Sequence, residues 1–120
     1  MRRRDLLGPW GEALACEFLR GRGFRVVACN YRSRFGEIDV IAQDRKFLIF
    51  AEVKLRKTPD FGAAREFVDR KKQERLRQTA LIWLETHETS LQPRFDVIEI
   101  YAPDGLDTKK PVIRQLEDAF

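Results

Sequence analysis

Two hydrophobic periods run through this chain and take turns. Over residues 6–22, Leu7, Trp10, Leu14 and Phe18 recur three and four residues apart, and Ala15 and Leu19 widen the stripe, which predicts an amphipathic helix. Asp5 is the expected N-cap, Pro9 suits the first turn, and Gly21 or Gly23 ends the helix. Residues 24–31 then read as a strand, and Arg32-Ser33-Arg34 as a tight basic link. Residues 36–54 predict a β-hairpin with Gly36 at a bulge or close approach. Its first arm alternates, with Ile38, Val40 and Ala42 on one face and Glu37, Asp39 and Ile41 on the other. Residues 43–46 form a polar turn. The second arm is almost wholly apolar, as in a strand covered on both faces. The helical period returns over 64–86, starting near Glu66, with Val68, Leu76, Ala80, Trp83 and Leu84 buried. A fourth strand follows at 94–101, placing Phe95, Val97 and Glu99 on one face and Asp96, Ile98 and Ile100 on the other. Residues 111–116 give a weaker fifth strand, with a frayed tail to Phe120. The order predicts an α/β fold with a mixed central sheet.

Composition narrows this picture. A chain of 120 residues, 43% apolar and 35% charged, describes one soluble domain large enough to bury a core. No run of 18 apolar residues exists, so neither a transmembrane helix nor a membrane partner is expected. Leu6-Leu7 is too short for a signal-peptide core, which makes a cytoplasmic location the expectation. Cys16 and Cys29 fit neither a zinc spacing nor a disulfide framework and read as two reduced thiols. The net charge of +4 is uneven. Residues 1–77 hold 19 basic and 11 acidic residues, a balance of +8, and residues 78–120 a balance of −4. The basic part suits a polyanionic partner, although an ordinary solvated surface has the same composition.

The apolar second arm of the hairpin is interrupted by Glu52 and Lys54, two residues apart and so on one face. A carboxylate and an ammonium on a buried strand are costly unless paired or used. Asp39 can lie opposite them across the hairpin. Magnesium takes one or two protein carboxylates and keeps several waters, so Asp39, Glu52 and the Val53 carbonyl form a suitable donor set. Lys54 could orient the water or stabilise the transition state. These residue types suit phosphodiester hydrolysis. They do not suit acyl transfer, since no Ser or Cys has a histidine partner and His87 stands alone. There is also no glycine-rich phosphate loop. Arg56 and Lys57 after the strand, and Lys71 and Lys72 on the second helix, are the candidate phosphate contacts. On spacing alone, a buried ion pair holding the hairpin together explains Asp39, Glu52 and Lys54 equally well, and Glu12 reads as a solvated helix glutamate.

Several short strings occur together in order: Gly11-Glu12, Asn30-Tyr31-Arg32, Gly36-Glu37-Ile38-Asp39, Glu52-Val53-Lys54 with Arg56, Lys72-Gln73, and Arg94-Phe95-Asp96-Val97. In these the chain resembles the YraN family, an uncharacterised bacterial family of the restriction-endonuclease-like, or PD-(D/E)xK, superfamily, similar to the archaeal Holliday-junction resolvases. The resemblance implies an α-β-β-β-α-β nuclease core over about 6–101 with an extension over 102–120, all in one domain. It implies a Mg²⁺-dependent endonuclease (Mn²⁺ substituting) acting on DNA, branched or otherwise structured. Asp39 matches the metal-binding aspartate, Glu52 and Lys54 the (D/E)xK pair, Glu12 a first-helix glutamate that joins the metal site, and Lys72 a position near the phosphate. Resolvase-like relatives also imply a homodimer. No proline precedes Asp39, where the superfamily often has one. A non-catalytic nucleic-acid-binding module that kept the fold, or a scaffold with a structural acidic cluster, are the alternatives.

Overall fold

A hairpin forms the middle of the molecule because its turn is closed by a side chain. Asp44 Oδ1 accepts the backbone N–H groups of Lys46 and Phe47 at 2.8 and 2.7 Å, bending the chain back between strands β2 (Glu37–Gln43) and β3 (Phe47–Arg56). These coordinates are a computed structural model that describes residues 2–58 and 68–120. The chain opens with helix α1 (Leu7–Gly21) and strand β1 (Arg25–Arg32), and after the hairpin come helix α2 (Arg70–Thr86), strand β4 (Gln92–Tyr101) and strand β5 (Val112–Leu116). The five strands lie side by side in chain order. β3 and β4 are parallel, joined through α2, and the other three pairings are antiparallel. The expected α/β order and mixed sheet are present, and no helix among the described residues is long and apolar enough to cross a membrane.

One helix covers each face of the sheet. Ala15, Cys16 and Leu19 of α1 pack on Val40, Ala42, Ile49, Ala51, Ile98 and Ile100. Leu76, Ala80 and Trp83 of α2 pack on Ile41, Leu48, Phe50 and Val97. The strict alternation along β3 sends residues 49 and 51 to α1 and 48 and 50 to α2. Its apolar run is thus explained by cover on both sides.

Several expectations need correction. Leu6, not Asp5, precedes α1, and its side chain makes no capping bond, because Asp5 lies inside a 3-10 turn spanning Arg3–Leu6. The stripe of α1 is centred on Gly11, Ala15 and Leu19, with Trp10 and Leu14 at its margin: a Cβ at Gly11 would sit 3.1 Å from Leu55, so the helix rests on the sheet at its glycine. α2 begins at Arg70, with Asp69 as the N-cap accepting the Lys72 N–H at 2.8 Å, so Val68 is buried ahead of the helix. The expected helix over 64–67 falls outside the described residues. Ile38 packs with Ile41 on the α2 side, not with Val40 and Ala42. The β1–β2 ribbon turns over here. Cys29 and Val40 are paired and face α1, whereas the next pair, Tyr31 and Ile38, faces α2. Asn30, at the turnover, takes the left-handed φ of 53° that permits it. The tail is docked, not frayed: Ala119 N–H donates to the Phe95 carbonyl at 2.8 Å, and the Phe120 ring stacks on Phe95 at 5.1 Å.

Candidate active site

The turnover opens a fork. β2 and β3 are paired from Gln43–Leu48 as far as Val40–Ala51, and no further. Beyond it, the Val53 N–H that would continue the ladder donates to Asp39 Oδ2 at 2.8 Å. In a strand the N–H and C=O of one residue point to the same edge, so the Val53 carbonyl also opens toward the fork. Glu52 and Lys54 project on the α2 face with Phe50, as their spacing predicted. The first turn of α2, fixed by the Asp69 cap, brings Lys72 over the same point. A cavity of about 360 Å³ results, lined by Gly36, Glu37, Asp39, Glu52, Lys72 and Arg75 among others.

Glu52 is buried and shared by two ammonium groups: Lys72 Nζ is in direct contact with Oε1, and Lys54 Nζ lies 3.5 Å from the same oxygen. Among the described residues Asp39 has no ammonium in contact, although the charge of Lys72 reaches it. Burial, then the charge of Glu52, pushes its carboxyl up to about 7, against the lowering effect of the Val53 N–H. Lys54 is pulled below the ordinary lysine value, by burial first and then by Lys72, with Glu52 opposing. Burial would lower Lys72 too, but its bond to Glu52 and the charge of that carboxylate raise it.

The predicted residues therefore divide. Asp39, Glu52, Lys54 and Lys72 are brought together. Glu12 stands off, its Oε2 held by Asn30 Nδ2 at 2.8 Å, and reaches Asp39 only through its charge. Arg56 turns inward, its Nε 3.8 Å from Oε2 of the fully buried Glu99. Lys57 is exposed beside Leu7, Pro103 and Leu106, away from the fork. Lys71 is exposed on the first turn of α2, and the loop beyond Thr58 falls outside the described residues. Sequence reasoning missed Glu99 as a site residue. It is paired in register with Lys54 across β3 and β4, and it breaks an apolar strand just as Glu52 does. Arg75, one of the basic residues that the sequence places on the first half of α2, is exposed and lines the cavity.

Among the described residues, no three His, Cys, Asp or Glu side chains close around one point. The donor set at the fork is two carboxylates and a backbone carbonyl, all hard oxygen. That suits a cation such as Mg²⁺, which keeps most of its water, better than one that needs a full protein cage.

The sequence profile of the uncharacterised protein family UPF0102 matches residues 11–100. A UPF0102 protein of Nocardia farcinica is 41% identical over 118 residues, covering 98% of this chain and 91% of its own. Those of Geotalea daltonii (42% identical; 95% of this chain, 88% of its own) and Paenarthrobacter aurescens (44% identical; 83% and 84%) are similar over comparable spans. The chain belongs to the UPF0102 family, which bears out the YraN-like resemblance at the level of family.

Proposed function

We propose that this UPF0102 protein is a cytoplasmic, metal-dependent endonuclease that hydrolyses phosphodiester bonds in DNA on a restriction-endonuclease-like core. One observation carries the reading: at the fork, two carboxylates from adjoining strands meet two lysines, and among the described residues Asp39 accepts a single hydrogen bond, from the Val53 N–H. Asp39, Glu52 and the Val53 carbonyl would hold Mg²⁺, with Mn²⁺ as a substitute. The bound cation would lower the pKa of a water and neutralise charge on the phosphate. Lys54, partly desolvated beside Glu52, presents its Nζ proton where the attacking water or a phosphate oxygen would lie. Lys72 neutralises Glu52 in the resting protein and supplies a second ammonium at the same point. Glu99 and Arg56, paired behind Lys54, fix the height of that strand. Asn30 holds Glu12 within electrostatic range of Asp39. Lys71 and Arg75, exposed on the first half of α2, are placed for neighbouring phosphates.

The alternative, a non-catalytic nucleic-acid-binding module with a retained nuclease fold, draws on one observation: Glu52 is already neutralised by Lys72. A manganese-supported cleavage screen over single-stranded, duplex, flap and four-way DNA separates the two. The parent chain should cut at least one substrate. Glu52→Gln and Lys54→Ala should each lose cleavage by a factor of about 10³ while still binding DNA. Binding without cleavage in the parent would leave the module reading in place. Unfolding of both variants would restore the structural ion pair.

A further inference from the structure

A second groove, of about 600 Å³, adjoins the carboxylate cavity and is lined by Arg32, Arg34, Phe35, Gln78, Leu81 and Glu85 among others. The two share the β1–β2 loop: Phe35 lines one and Gly36, the next residue, lines the other. That loop is firmly held. Ser33 and Gly36 exchange backbone bonds at 2.8 and 3.3 Å, Ser33 Oγ accepts the Phe35 N–H at 3.0 Å, and the Ser33 and Thr79 hydroxyls meet at 2.8 Å. Thr79 is itself fixed to the Arg75 carbonyl of α2 at 2.8 Å. The Arg34 guanidinium lies over the Phe35 ring, 4.8 Å from its centroid. The same groove is lined by Leu81, 61% exposed, one of three large apolar side chains exposed among the described residues.

We propose that this groove takes an unpaired nucleobase of the strand whose phosphate lies at Asp39 and Glu52, so that the substrate class is nucleic acid with single-stranded nucleotides beside the cleaved bond. The proposal rests on the nuclease reading above. An aromatic and a leucine lining one groove offer an apolar surface to any base, Gln78 and Glu85 meet its polar edge, and the arginines of the lining match the flanking phosphates. A paired base would have to leave its duplex to enter. The firmly held loop lets the stack form without first ordering the chain.

The test uses the full Asp39→Asn chain, with 2-aminopurine placed in a single strand, in a flap and in a matched duplex of equal length. The single strand and flap should bind more tightly than the duplex and show quenching of the probe. Adding Phe35→Ala should weaken binding to unpaired DNA roughly tenfold, the size of one base–aromatic stack, and abolish quenching, while changing duplex binding by less than about twofold. Leu81→Gln, at an exposed position that folding does not depend on, should act in the same direction. Unchanged or equal losses on both DNA forms would overturn the groove, and the nuclease reading would survive if the parent still cuts. Failure of the parent to bind any DNA would overturn both. Concentration-dependent dimerisation in sedimentation, abolished by Leu81→Gln, would overturn the groove in favour of a second copy of this chain.

Discussion

Asp96 and Asp39 are carboxylates of the same sheet, the second half-buried at the wall of a cavity. Asp96 is fully buried and saturated. It accepts Arg94 Nε and Nη2 at 2.8 Å each, Gln115 Nε2 at 2.8 Å and the Asp118 N–H at 3.0 Å. Arg94 is held in turn over the Phe47 ring, 4.3 Å from its centroid. Asp39 accepts one N–H among the described residues and faces Glu52, Glu12 and Glu37 as like charges. A carboxylate that only holds a fold is given all its partners. One that is under-partnered and crowded by other acids is costly to the fold and marks a candidate site.

The largest effect expected of this contrast lies at the saturated end. Asp96→Asn leaves the buried Arg94 guanidinium with only the exposed Glu117 as an ion-pair partner, and urea denaturation should show a loss of about 3–5 kcal/mol. Cleavage per folded molecule should not change. A loss below about 1 kcal/mol would show that the clasp is not structural and would dissolve the contrast.

At the under-partnered end the sign reverses. The folded carboxyl of Asp39 holds its proton up to about pH 7, against an ordinary value of 3.8. Between those values the folded chain binds more protons than the unfolded one, so stability falls as pH rises through the window, and above about 7 the whole penalty is present. Asp39→Asn removes that penalty. Its advantage over the parent in urea should be absent near pH 3.5, grow through neutrality, and reach up to a few kcal/mol at pH 8. Millimolar Mg²⁺ at pH 8 should raise the midpoint of the parent and leave that of Asp39→Asn unchanged. A parent whose stability does not fall between pH 4 and 8 relative to the variant would contradict the contrast.

The smallest effect concerns the residue that connects the site to its support. Asp69→Ala removes the cap that fixes the first turn of α2, and should cost about 1 kcal/mol. Because Lys72 lies in that turn, affinity for DNA should fall alongside stability. A variant with full affinity would show that the placement of Lys72 does not depend on the cap.

The contrast was half legible beforehand. Glu52 and Lys54 could be paired on one face from their spacing, because a strand's two-residue period decides facing without knowledge of its neighbours. Asp96 could be assigned a face but not a purpose. Its partners Gln115 and Asp118 come from a segment 19–22 residues on, whose return across the sheet has no local signal. The turnover at Asn30 was hidden for a related reason: asparagine tolerates a positive φ, but nothing nearby says that it adopts one. Alternation then misplaced Ile38. Arg56 looked like a phosphate contact because its pair, Glu99, is 43 positions later in the chain. The contact of the Cys16 and Cys29 sulfurs at 3.7 Å was equally invisible, since it depends on α1 crossing β1. Asp39 could be named as a metal donor from its place in the hairpin. That it accepts a single N–H among the described residues is a property of the fork.

The parallel seam between β3 and β4 has a consequence for synthesis. A ribosome that has delivered everything through α2 has made Asp39, Glu52, Lys54 and Lys72, yet the strand bearing two of them still has a bare edge. Residues 92–101 close that edge last, and the clasp at Asp96 locks them only when residues 115–118 have emerged. The strand that carries Glu52 and Lys54 is thus made firm by residues far beyond it, and a chain cut short before residue 115 would lack that lock.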